Sequence, residues 1–550
     1  MYEKSANYIF FIFLFLFVSL SLSGVGSIVI NHRNTNVFEK LFLGFIFLAF
    51  FNTFFHFFFK LNFFINLLIL FLGLSFFKKN ILKKEKIFTK KNLFYFLIVF
   101  FLVPIFISQK YHEDFGYYHL PYAFSFVEEK IIFGLANSNI AYTYNSIWLN
   151  IYPTFFSDNK NYDFLTLPSF ILYVCFILFF IHNFLTSKKW SLSSLFSTIL
   201  VFYYILKFTR ISEYGVDLPS SLYSNLAIFY FIKFFETEDV INKKNYFFLN
   251  TYFAIFSVLI KLSSFPIIIL TIILYLKNIQ IFKKEYFQIK YILIYFVVIT
   301  YYIQQFIFTG CFFFPTNLTC LDVNWFSQDF LEIKSILEII NKSYAEAKDT
   351  MTSVIYLQNF NWFPYWLKRN YLEILEHIST MIIPFLIIFF IIKKKKTYYI
   401  YINQVSFYLL IFTIIGLIFW LSFSPVYRFA VPFFLTIILL IISPFFSNKP
   451  ISKKIFIIFL IFSISFSFIK NLDRVSKKNQ IYFGIEKIVN LYIFDKESSN
   501  TYLNIYYVDI DKNMKNGWQG RLCWDIPFIC SNKRIKANHK NGYLFLSENN

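Results

Sequence analysis

The chain has 550 residues, 57% of them hydrophobic, with a mean hydropathy of +0.56 and a formal net charge of +21. A water-soluble core cannot use that much apolar surface, so the bilayer is the expected solvent for most of the chain. A nucleic-acid binder gathers its cations on one folded face, whereas the lysines here fall in short loops between apolar runs, which excludes that class.

Apolar runs of near-spanning length mark membrane helices. The first three lie near 8–30, 40–59 and 62–77. The stretch that follows carries Lys78, Lys79, Lys83, Lys84, Lys86, Lys90 and Lys91, and the positive-inside rule assigns it to the cytoplasm. A fourth run, 93–108, leads out to a long polar segment, 109–164. Further runs lie near 165–185, 192–206, 219–235, 246–260, 264–276, 291–308, 379–392, 399–422, 427–446 and 454–470, giving about fourteen spans. Every second loop after the third span again carries lysine: Lys188 and Lys189, Lys243 and Lys244, Lys277, Lys283 and Lys284, Lys393 to Lys396, then Lys449, Lys453 and Lys454. The opposite side receives 109–164, 207–218, 309–378, 423–426 and the tail 471–550. The expected architecture is an all-α polytopic membrane domain over 1–470, followed by a small extracytoplasmic cap at 471–550.

Candidate chemistry lies on that outward side. Glu113 and Asp114 open the first outward loop at the edge of a span. Lipid head groups are largely anionic, so two acids there are poorly placed for anchoring. A carboxylate in that position takes a proton from an acceptor hydroxyl, or holds a divalent cation (Mg or Mn) against a diphosphate. Tyr117, Tyr118 and His119 supply interfacial hydrogen-bonding groups and aromatic faces; His119 also suits a phosphate or a proton. Asn137, Tyr144, Asn145, Ser146 and Trp148 suit a sugar, whose hydroxyls need donors and acceptors and whose flat face stacks on rings, and equally suit a loop that packs on itself.

Arg210, Glu213 and Asp217 share the next outward loop, and Arg428 opens a later span. An Arg fork matches phosphate, although a charge at a helix mouth also snorkels to the interface. Lys261, between two short apolar runs, either caps an outward hairpin or touches the same phosphate. Lys368 and Arg369 read as a solvated loop face. Walker, Rossmann, His-Glu-x-x-His and Gly-x-Ser-x-Gly signatures are all missing, so ATP-driven chemistry within the chain is not expected.

Of the five cysteines, Cys175 falls in a span, Cys311 and Cys320 in one outward loop, and Cys523 and Cys530 in the tail. Two close pairs on one side fit an oxidising compartment, and a bridge of this size gives roughly 2–3 kcal/mol in the chain-entropy picture. Zinc is the rival reading, weakened by the scarcity of histidine nearby.

A carboxylate in the first large outward loop, just after a span and followed by many spans, resembles the membrane glycosyltransferases of the C superfamily (GT-C). The segments Asp114 to Pro121, Phe133 to Asn137 and Tyr144 to Ser146 resemble more narrowly an uncharacterised family of bacterial multi-spanning proteins associated with surface polysaccharide. Arg210 with Glu213 and Asp217, Cys311 with Pro315 and Cys320, and Cys523 to Cys530 extend that resemblance. It implies an enzyme of the bacterial inner membrane that moves a sugar from a polyprenyl-phosphate donor to a glycan or lipid-linked acceptor. Asp114 is then the base or metal carboxylate, with Glu113 and His119 assisting. Arg210 and Arg428 neutralise the departing lipid phosphate, and Tyr118, Asn137, Asn145, Glu213 and Asp217 line the substrate site. The other readings are a lipid-linked glycan polymerase, a flippase, and an assembly scaffold.

Overall fold

A computed structural model describes residues 2–30, 35–61, 63–82, 90–107, 114–155, 165–207, 215–282, 288–331, 333–392, 404–446 and 452–477, and, in the tail, 494–498, 504–508, 523, 526, 528–531 and 533–548. Glu113, Arg210, Glu213 and many of the loop lysines lie outside the described residues.

The protein is mostly helical, with eighteen α-helices among the described residues. The first four are α1 (Tyr2–Val29), α2 (Val37–His56), α3 (Phe63–Phe77) and α4 (Lys90–Ile107). A short α5 (Leu120–Glu128) precedes α6 (Leu167–Thr186), α7 (Leu192–Leu206), α8 (Asp217–Glu236), α9 (Val240–Ile260) and α10 (Ile268–Lys277). Then come α11 (Ile279–Phe282), α12 (Ile289–Thr309), α13 (Ile333–Asn341), α14 (Ser353–Leu357), α15 (Phe363–Ile392), α16 (Gln404–Phe423), α17 (Val431–Phe446) and α18 (Lys453–Lys477). Among the described residues seven helices are long and apolar enough to cross a membrane, and shorter apolar helices such as α7 accompany them. This is a membrane protein with transmembrane helices. Its peripheral helices present apolar side chains outward, as a lipid-facing surface requires: Phe64 on α3 and Phe462 on α18 are largely exposed.

Local chemistry sets several helix ends. Asn36 and Glu39 form a reciprocal capping box at the start of α2, and Ser191 does the same with Ser194 at α7. Glycines let α1 approach its neighbours backbone to backbone. A Cβ on Gly26 would lie 1.7 Å from the Lys40 carbonyl of α2, and one on Gly24 would lie 1.9 Å from the Gly73 carbonyl of α3.

Two expectations change. The segment 109–164, expected as polar, is packed inside the fold in its described part, as the self-packing alternative for its aromatics allows: Ile132, Trp148, Ile151 and Tyr152 are fully buried. A polar ladder ties it to the helices. Asn150 donates to Thr53 Oγ1 of α2 (2.7 Å) and Gln304 Oε1 of α12 (2.9 Å), and accepts from Tyr122 (2.7 Å). Asn52 donates to the Asn150 carbonyl and to Thr154 Oγ1. Aromatic and aliphatic groups within the segment supply the apolar burial, and the ladder pairs both amide groups of Asn150.

The fold is also not all-α, and the boundary at 470 falls inside α18. The tail carries β1 (Phe494–Ser498), β2 (Asn504–Val508), β3 (Cys530–Ser531), β4 (Ile535–Lys540) and β5 (Tyr543–Glu548). Strands β1 and β2 pair antiparallel, with β3 parallel to β2, and β4 pairs antiparallel with β5. Asn541 and Gly542, both with positive φ, form the two-residue turn that matches strand twist. Phe133 adds to the free edge of β5: its N–H donates to the Leu544 carbonyl and its carbonyl accepts from Leu546. A Cβ at Gly134 would lie 2.1 Å from the Leu546 carbonyl, which explains glycine there.

Candidate functional site

Four segments that the lysine pattern assigns to one side converge at the helix ends. Asp114 directly precedes a single wide turn of π type, Phe115–His119. Asp217 opens α8, where a carboxylate is favoured by the helix dipole. Lys261 sits where α9 ends, before a 3-10 turn (Leu262–Ile267) whose Pro266 interrupts the helical run into α10. Arg428 lies in the short turn Tyr427–Ala430 ahead of α17.

Neighbouring hydrogen bonds fix these segments. Ser220 Oγ lies 2.7 Å from Ser264 Oγ, which holds the start of α8 against the break after Lys261. Trp366 Nε1 donates to the Pro425 carbonyl (2.6 Å) and Trp420 Nε1 to the Val426 carbonyl (2.8 Å), which pins the approach to Arg428.

Asp217 is the hub. Lys261 donates to its Oδ1, and Arg428 Nε lies 2.5 Å from its Oδ2. The side chains of Asp217, Lys261 and Arg428 are 16%, 22% and 27% exposed, so the pairs are largely desolvated yet still reachable from outside. Phe429 provides a platform: Lys261 Nζ stands 3.3 Å from its ring centroid and Arg428 Cζ 5.4 Å. Burial pushes the Lys261 ammonium down to about 8; Asp217 and Asp114 favour its charge and Arg428 opposes it. Burial and then the charges of Asp114 and Asp217 hold the Tyr118 hydroxyl well above its usual range, while Arg428 acts the other way. Asp114, Tyr118, Asp217, Lys261 and Arg428 thus share one electrostatic environment. His119 is buried beside it, with its ring 4.1 Å from that of Tyr118 and 6.4 Å from that of Tyr152.

Other candidates lie elsewhere. Asn137 Nδ2 donates to the carbonyls of Trp325 (2.9 Å) and Leu546 (3.0 Å), tying the tail hairpin to the segment that follows α5. Asn145 belongs to the buried ladder, accepting from Tyr122 (3.1 Å) and donating to Gln304 Oε1 (2.9 Å). Arg369 makes an exposed ion pair with Glu346. Cys311 is bonded to Cys320 and Cys523 to Cys530. Phe429 escaped the sequence reading because one Phe among 84 carries no signal, although it adjoins a scarce Arg.

Among the described residues no three His, Cys, Asp or Glu side chains are grouped to hold a metal ion. Both oxygens of Asp217 already face cations, so the described part of the cluster does not fit a divalent ion, and no step below uses one.

The sequence model of the family described as Domain of unknown function (DUF8201) matches residues 7–435. The chain belongs to this family. The match in DUF8201 takes in Asp114, Asp217, Lys261 and Arg428 and stops short of α18 and the tail. No curated protein and no solved structure matches the chain.

Proposed function

We propose that this DUF8201 protein is a GT-C-like glycosyltransferase of the bacterial inner membrane, acting on a polyprenyl-phosphate-linked sugar at the extracytoplasmic face. The observation that carries the reading is the convergence of Asp114, Asp217, Lys261 and Arg428 from four separated segments into one half-desolvated cluster. Lys261 and Arg428 hold the donor phosphate and stabilise the charge that grows on it as the glycosidic bond breaks. Asp217 orients both cations. Asp114, the half-buried carboxylate at the mouth, accepts the proton of the acceptor hydroxyl as that oxygen attacks the sugar. Tyr118 offers its ring and hydroxyl to the sugar.

A lipid-linked glycan polymerase would use the same groups on the same phosphate, and a flippase would bind the phosphate without breaking a bond. Reconstituted protein supplied with polyprenyl-phosphate-linked sugars separates these outcomes by product. Asp114→Asn should lower transfer by about 10²–10⁴-fold while insertion and folding persist. Transfer at the normal rate by this variant would remove Asp114 as the base. Flipping without transfer by the unaltered protein would overturn the enzyme reading.

A further inference from the structure

The tail hairpin has one face inside the fold and one outside. Ile535, Ala537, Leu544 and Leu546 are buried on the inner face. Strand alternation puts Lys536, Asn538 and Lys540 of β4 on the opposite face, and all three are exposed. Their cross-strand partners Ser547, Phe545 and Tyr543 share that face and are half-buried.

The hairpin is seated on the ends of two helices. In the segment that pairs with β5, the Ile131 N–H donates to the His56 carbonyl at the end of α2 (3.0 Å), and the Gly134 N–H to the Ile307 carbonyl near the end of α12 (2.8 Å). The Tyr543 hydroxyl donates to the Phe57 carbonyl (3.1 Å). Both helices have apolar, exposed sides: Phe54 on α2, with Phe58 and Phe59 just past its end, and Phe296, Ile299 and Ile303 on α12. Such a surface belongs in hydrocarbon, so the hairpin stands where hydrocarbon gives way to head groups.

Its outer face has the chemistry of that level. A ridge of rings runs from α12 to the hairpin: Phe306 is 6.1 Å from Trp325, Trp325 is 5.0 Å from Phe133, and Phe133 is 4.5 Å from Phe545 and 5.9 Å from Tyr543. Trp and Tyr collect at membrane surfaces because their bodies are apolar and their tips polar. Lysines frame the ridge. Lys130 Nζ lies 5.6 Å from the Tyr543 ring centroid and 4.0 Å from where a Cβ on Gly542 would stand, which places it at the hairpin tip with Lys540 two residues away. Lys60, just past Phe59, is 51% exposed and pairs with Glu129 at 3.4 Å. The neighbouring acid Glu128 turns its Oε2 to the Phe528 N–H (3.1 Å). Lys60, Lys130, Lys536 and Lys540 thus outnumber Glu128 and Glu129, and both acids already have partners. Anionic head groups complement such a surplus beside a bilayer.

We propose that the outer face of the β4–β5 hairpin, with Lys60 and Lys130, is a docking surface for anionic phospholipid head groups in the leaflet at which α2 and α12 end. The rings lie at the depth of the glycerol, and Lys130, Lys536 and Lys540 meet the phosphates. This surface is separate from the Asp114 chemistry, and its test needs no transfer activity. In the full-length protein Asn538→Cys carries a bimane label; Cys175 is buried and the other cysteines are bonded in pairs, so the label goes to the new thiol. The protein is placed in mixed phosphatidylcholine and phosphatidylglycerol nanodiscs, and one or the other lipid carries a nitroxide just below the glycerol. The phosphatidylglycerol nitroxide should quench more strongly, with an enrichment of about fivefold at low salt that falls as salt rises. Lys130→Gln combined with Lys540→Gln should bring the two lipids close to parity, and Lys540→Arg should keep the preference. Equal quenching by both lipids in the unaltered protein would overturn the anionic assignment, and a preference indifferent to the Gln variants would overturn the role of the lysines. No quenching by either lipid would overturn the membrane surface altogether, and shielding of the label by polygalacturonate in that case would give the face to an acidic glycan.

Discussion

Asp217→Asn tests whether one carboxylate truly organises two cations. The substitution keeps the shape of the side chain and removes its charge, leaving Lys261 and Arg428 facing each other beside Phe429. Breaking a fully buried ion pair costs about 3–5 kcal/mol, and an exposed pair is worth about 0–1 kcal/mol. With side chains 16–27% exposed, the pairs sit toward the buried end, and the expected loss is about 2–4 kcal/mol. Unfolding titrated with sodium dodecyl sulfate and followed by tryptophan fluorescence reads the change, since the chain has 8 tryptophans. A double-mutant cycle of Asp217→Asn with Arg428→Gln isolates the pair, and its coupling energy should exceed about 1 kcal/mol. Costs that add to within about 0.5 kcal/mol would show that the two groups act independently, and the hub would be refuted.

Other outcomes follow from the same physical arguments. Lys261 is charged only below a value of about 8, so phosphate-dependent binding or transfer should fall as pH rises through that point. Because its folded value is depressed, the cost of burying its charge is present at neutral pH and is relieved above about 8; stability should therefore rise between there and the unfolded value near 10.4, in the opposite sense to binding. Gly26→Leu would drive a side chain into the Lys40 carbonyl and should destabilise the α1–α2 pair by about 3 kcal/mol or more, read as loss of detergent-resistant monodisperse protein on size exclusion. Asn150→Ala removes three buried hydrogen bonds, although Thr53 keeps the Ala49 carbonyl and Tyr122 and Gln304 keep Asn145, so the expected cost is about 0.5–1.5 kcal/mol for each bond lost, measurable by the same dodecyl sulfate titration.

The helical framework was legible because apolar runs are local: each expected span overlaps a helix in its described part, although only seven of the described helices are long and apolar enough to cross a membrane, α15 begins at Phe363, well ahead of 379, and α10 is only ten residues. Asp114, Asp217 and Arg428 stood out by position and by the scarcity of Arg. Their assembly did not, since nothing local says that Lys261 reaches back to α8. Asn137 and Asn145 carried the right functional groups for a sugar, yet Asn137 spends its Nδ2 on two backbone carbonyls and Asn145 spends both amide groups on Tyr122 and Gln304 inside the fold. Self-packing of the segment after α5 was one of two readings its residues allowed, and composition could not choose it, because its aromatics look the same as those facing lipid. The tail hairpin did leave a local mark, Asn541-Gly542 between alternating residues, which hydropathy alone passes over.

The docking of β5 on Phe133 has a consequence for biogenesis. Asn137 and its acceptor Leu546 are 409 positions apart, so at roughly 5–20 residues per second the partner is synthesised some 20–80 s later. Throughout that interval the helices can insert while the strand edge at Phe133 waits. Closure of this edge is therefore a late event of maturation, and a ribosome stalled within α18 would yield a helical bundle in which Phe133 has not yet met β5.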